Sequence, residues 1–259
     1  MILAAHRNRS GEKTKVSLMK KYSKLAATML FVVIGAATGA QATSVYIPEG
    51  SAGDIAVVDA ATDTIVRRIS GLSDIHGLGG ASGARYLVAG SYAETPTDKA
   101  APVARPVGVS EDEHASHHGA GARPASSAGS VVSILTIIDA TDGSPVRRLE
   151  VPGAVHHVAV SKDGRYAVAT HPNADGVSVI DLADLTVRGL IRTGPIPNYA
   201  AFSPDGSRVY VSNSGNGTVS EIDTARWMVR RNLPAGDSPE HIVMAPDGRT
   251  LYVANVEAG

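Results

Sequence analysis

Histidine offers the widest chemical scope in this 259-residue chain, and its nine copies are unevenly placed. His114, His117 and His118 follow the acidic run Glu111-Asp112-Glu113, the composition of a short metal-capturing loop. Imidazole is the commonest protein ligand for zinc, copper and nickel, and a site of imidazole and carboxylate without thiolate favours Zn(II) or Cu(II). The same stretch also reads as a flexible polar insertion whose histidines merely solvate it.

A second group recurs at fixed spacing. His156, Asn198 and Glu240 stand 42 residues apart, as do His157, Tyr199 and His241, and His76 stands 80 residues before His156. Large polar residues so repeated can line a shared opening and contact a ligand. They can equally satisfy backbone groups where strands crowd an axis. A metal or haem held by His76, His156, His157 and His241 would make the protein a redox or hydrolytic enzyme, and lactonase-like hydrolysis belongs to that alternative.

Other chemistries are excluded or weakened. With no cysteine there is no disulfide, thiolate metal site, C-x-x-C-H haem attachment or cysteine nucleophile. No H-E-x-x-H, nucleophile elbow or Ser-His-Asp spacing is present, so no catalytic residue is assigned. Gly77-Leu78-Gly79-Gly80 is followed by no helical pattern, which argues against a phosphate cradle.

The elements that position these residues follow from the repeat. Asp163-Gly164, Asp205-Gly206 and Asp247-Gly248 are spaced by 42, and so are Asp139, Asp181 and Asp223. An earlier copy surrounds Asp59 and Gly83-Ala84-Arg85-Tyr86, offset by 80 because of a Pro-, Ala-, Ser- and Gly-rich insertion at 93–130 that holds His114, His117 and His118. Each copy has four short β-compatible runs, predicted in one copy at 198–202, 208–212, 218–222 and 228–233. Four strands per unit of about 40–45 residues mark a β-propeller blade. The Asp-Gly pairs read as hairpin turns and the four Asp at strand ends as turn caps. The arginine pairs 67–68, 147–148 and 230–231 fall in outermost strands, where they protect a sheet edge or form a rim for an anion.

Residues 203–255 resemble the YVTN-type repeat of the YncE-like family, with Tyr210-Val211-Ser212-Asn213 and Tyr252-Val253-Ala254-Asn255 at its defining motif. Tyr166-Ala167-Val168-Ala169 and Tyr86-Leu87-Val88-Ala89 depart from it. The resemblance implies an all-β propeller of about seven blades, a fold shared by unrelated activities. The chain offers three outer strands, three whole blades and two strands of another, so a fragment of a longer propeller is expected. In that topology His76, His156, His157, His171 and His241, with the insertion, share one face. Histidine at the start of an inner strand also resembles the haem-binding propellers of dissimilatory nitrite reductases and their maturation proteins, although no haem c domain accompanies it here.

Residues 1–42 read as a cleaved signal peptide: seven basic residues against one acid, an apolar stretch at 25–39, then Ala40-Gln41-Ala42. Met19 is an alternative start, and about 15 apolar residues fall short of the roughly 20 a membrane span requires. The remainder, 43–259, is the predicted propeller, with 17 basic residues against 24 acidic ones, a net charge of −7. The signal segment predicts a periplasmic protein with no membrane span after cleavage, and the acidic balance gives no reason to bind nucleic acid, so a small molecule or a protein is the expected partner.

Overall fold

The computed structural model describes residues 44–96 and 131–257. These form five antiparallel sheets in chain order, with two short 3-10 turns and no α-helix among the described residues. The first sheet contains β1 (Ser44–Glu49), β2 (Asp54–Asp59) and β3 (Thr64–Ile69). The second contains β4 (Ile75–Gly79), β5 (Tyr86–Ser91), β7 (Val131–Asp139) and β8 (Pro145–Pro152), and short β6 (Thr95–Pro96) pairs with the start of β7. The third runs β9 (Val158–Val160), β10 (Tyr166–His171), β11 (Gly176–Asp181) and β12 (Thr186–Arg192). The fourth runs β13 (Pro197–Phe202), β14 (Arg208–Asn213), β15 (Thr218–Asp223) and β16 (Met228–Pro234). The fifth comprises β17 (Pro239–Met244) and β18 (Leu251–Asn255).

Every predicted run of the fourth sheet is a strand within one residue of its expected limits. The insertion differs slightly, because Thr95 and Pro96 extend the ladder against the first residues of the long β7. The rest of it, with His114, His117 and His118, lies outside the described residues, as do 1–43.

Aliphatic side chains seal the faces between consecutive sheets. Ile55, Val57 and Ile69 pack against Ile75, Leu87 and Ile138, while Leu135, Ile137 and Val151 pack against Val158, Ala167 and Ile180. Val168, Val177 and Val179 then meet Val209, Val211 and Ile222. Each fully buried aliphatic chain contributes about 1.5–3 kcal/mol, so the sheet-to-sheet contacts supply most of the driving force. The first strands β4, β9, β13 and β17 lie side by side, which places them innermost.

The repeated aspartates prove to be scaffold. Asp59, Asp139, Asp181 and Asp223 each accept the N–H two residues on, at 2.7, 2.9, 3.0 and 2.9 Å. Asp163, Asp205 and Asp247 do the same inside their hairpins at 3.1, 3.0 and 3.0 Å. Gly206 closes its turn at φ 71°, where a side chain is strained.

The outer arginines of the first and fourth sheets are committed to their own chain. Arg68 pairs with Glu49, and Arg67 donates to the Ala140 and Thr141 carbonyls at 3.4 and 3.2 Å. Arg230, Arg231 and Arg208 converge on Glu221, which is 2% exposed, at 3.3, 2.7 and 3.2 Å. Glu221 occupies the repeat position of core residues Val57, Ile137 and Val179. A buried carboxylate there requires its guanidinium partners, and losing them would leave an uncompensated charge.

Candidate functional site at the mouth of the inner strands

Two sets of loops emerge at one end of the sheets: those leading into β4, β9, β13 and β17, and those joining the second strand of a sheet to its third. His76 lies in β4, His156 and His157 just precede β9, Asn198 and Tyr199 lie in β13, and Glu240 and His241 lie in β17. The 42-residue spacing therefore brings these residues together from four successive sheets.

Their rings form a continuous arc. The His76 centroid lies 4.9 Å from Tyr92 and 4.8 Å from His156, and His156 lies 5.5 Å from Tyr199. Tyr199 is sandwiched between His157 at 4.4 Å and His241 at 3.9 Å, tilted by 33° and 34°. His76, Tyr92 and His241 are exposed, while His156, His157 and Tyr199 are half-buried.

Hydrogen bonds fix the inner members. The His156 ring reaches the Asn198 carbonyl at 3.1 Å through Nδ1, which must therefore carry the proton. The Ala200 N–H donates to His157 Nδ1 at 3.2 Å, which places that ring's proton on Nε2 in its neutral form. Asn198 Nδ2 donates to Glu240 Oε1 at 2.8 Å and to Ser214 Oγ at 3.0 Å.

Burial holds His157 at a pKa of about 4, assisted by the neighbouring His156 and His241. It also lowers His156, against the supporting bond to Asn198. Burial first, then the Glu240 carboxylate, raises the Tyr199 phenol. At neutral pH the two inner imidazoles of the arc are thus uncharged.

Sequence reasoning missed two hydroxyls beneath the arc. Thr170 Oγ1 donates to the Asn198 carbonyl at 2.8 Å and accepts the His157 N–H at 3.0 Å. Ser212 Oγ, its equivalent 42 residues on, donates to the Glu240 carbonyl at 2.5 Å and accepts the Tyr199 N–H at 3.0 Å. These hydroxyls clasp each inner strand to the next, and their shared spacing was the available signal. Tyr92 was missed because the insertion follows it and obscures its place in the repeat.

His171 requires a correction. Expected in the loop between the second and third strands, it instead closes β10 at this same end of the sheets and is fully buried, contacting the Ala154 carbonyl at 3.3 Å and Ser178 Oγ at 2.8 Å. Burial lowers its pKa to about 4, and both nitrogens are engaged. It fills the repeat position of Asn213 and Asn255, where a polar plug satisfies the strand end.

The arc's geometry is one of stacking. Among the described residues no group of three or more histidines, aspartates or glutamates is placed to hold a metal ion.

Solved structures agree on the architecture. A hydrazine synthase from Kuenenia stuttgartiensis matches at a TM-score of 0.59 and 17% identity, over 81% of this chain and 51% of its own. The Swd1 β-propeller domain of Myceliophteria thermophila matches at 0.57 and 13%, over 79% and 56%. The fold is a β-propeller. A functionally unknown protein from Desulfotomaculum acetoxidans matches this propeller at 0.61 and 14%, over 82% and 59%. The chain spans between half and three fifths of these structures' lengths. No family model and no curated protein matches it. Among the described residues of the propeller, no helix is long and apolar enough to cross a membrane.

Proposed function

We propose that this chain is an exported propeller of the YncE-like type that acts as a binding module, its ligand or protein partner seated on the ring arc at the mouth of the inner strands. The observation that carries the reading is the convergence of His76, His156, Tyr199 and His241 from four sheets with exposed ring surface remaining. Aromatic surface with a few fixed polar groups is the usual make-up of a recognition site. The stacked imidazoles favour this over catalysis by a metal ion held in the arc, because among the described residues no three histidines or carboxylates are placed to hold one.

Export through residues 1–42 and metal capture by His114, His117 and His118 complete the proposal. N-terminal sequencing of secreted protein should begin at residue 43. Zinc or copper retained by the native chain should be lost when His114, His117 and His118 are all replaced by Ala.

A solution NMR screen of a mixed fragment panel tests the mouth itself. Shifts should concentrate on His76, His156, Tyr199 and His241, and should vanish in a His76→Ala/His241→Ala variant that remains folded. Shifts confined to the Asp-Gly hairpins would overturn the assignment.

A further inference from the structure

The cleft between the first and second sheets holds a cavity of about 190 Å³, lined by residues including Ser73, Ile75, Ser91, Ile134, Thr136 and Arg148. Its origin lies in the repeat. Ser91 closes β5 at the position where His171 closes β10, Asn213 closes β14 and Asn255 closes β18. In the third and fourth sheets that side chain fills the space and bonds a hydroxyl: His171 meets Ser178 at 2.8 Å and Asn213 meets Ser220 at 2.9 Å. Thr136 is the equivalent of Ser178 and Ser220, but serine at 91 is too short to reach it.

The space left by the missing plug is bordered by two polar side chains, Thr136 and Arg148. Thr136 is only 5% exposed, borders the cavity, and its hydroxyl forms no hydrogen bond among the described residues. Arg148 is exposed and donates one bond from Nη2 to the Gly71 carbonyl at 3.2 Å, with the rest of its guanidinium fork free of described partners. The other walls are largely apolar, from Leu72, Ile75, Ala89 and Ile134. An apolar cavity of ~150 Å³ takes a benzene ring.

We propose that this cavity binds a small organic carboxylate with a compact apolar body, its carboxylate on Arg148 and the Thr136 hydroxyl and its body against the isoleucines. A guanidinium fork matches the two oxygens of a carboxylate, and the Thr136 hydroxyl on the cavity wall can donate to one of them. This site is separate from the ring arc and independent of it.

Titration calorimetry with benzoate, and with benzamide as its neutral counterpart, decides the matter. The native chain should bind benzoate saturably and benzamide about tenfold more weakly or not at all. Ser91→Asn restores the plug of β14 and should abolish binding, while Arg148→Met, at an exposed position that does not endanger folding, should weaken it about tenfold. His76→Ala/His241→Ala should leave it unchanged. No binding to the native chain, equal affinity for benzamide, or undiminished binding by Arg148→Met would each overturn the proposal.

Discussion

At the hairpin end of the sheets Asp163, Asp205 and Asp247 commit their carboxylates to the backbone of their own turns, whereas at the mouth end His76, Tyr92 and His241 leave ring surface exposed. Both ends are written by the same 42-residue spacing. The carboxylate of Asp205 is held down to a pKa of about 2 by bonds from Ser203 and Ser207, leaving it little capacity to bind anything else. The comparison teaches that recurrence by itself does not mark a site. What separates the two ends is whether the recurring groups are already satisfied.

The largest effect expected at the mouth end comes from acid. His157 and His171 have ordinary values of 6.5 lowered to about 4 by burial, so the unfolded chain binds more protons between those limits. Their stabilisation is complete above pH 6.5 and is lost as the pH falls towards 4, on the order of 3 kcal/mol for each ring. Urea unfolding at pH 7.5 and 4.5 should show this loss, and His171→Asn, which installs the residue of β14, should reduce it.

Next comes deletion of the buried ring. His171→Ala removes two hydrogen bonds and leaves Ser178 without its partner, a loss of about 3 kcal/mol by chemical denaturation. If His171→Ala matched His76→Ala in stability, the distinction between plug and ligand-facing histidine would collapse.

At the hairpin end, Gly206→Ala should cost about 1–2 kcal/mol through backbone strain, since nothing lies within 4 Å of the added carbon. It should leave ligand binding at the mouth intact. The smallest stability change belongs to His76→Ala with His241→Ala, within about 0.5 kcal/mol because both rings are exposed, yet this pair should lose binding. A large stability loss there would mean that the arc is mainly a structural clasp.

Much of the fold was legible because Asp-Gly turns and Ile-Asp strand ends are local signals that tolerate little variation. The site was legible in part for the same reason: equivalence by 42 residues put His156, Asn198 and Glu240 together before any contact was known. Burial was not legible, and His171 shows why. A histidine at a strand end looks like a loop residue until Asn213 and Asn255 are aligned with it and Ser178 is seen to receive it. Glu221 carried a signal that passed unused, a charge aligned with Val57, Ile137 and Val179. Its three arginine partners come from two neighbouring strands, so only the register of β14, β15 and β16 assembles the cluster.

The most direct test of the mouth as the recognition surface is to soak crystals of the protein with a library of small fragments and record where they settle. The account predicts fragments against His76, Tyr92 and His241, beside Glu240, with none on the Asp-Gly hairpins. Fragments clustered at the hairpin end, with the ring arc bare, would contradict it.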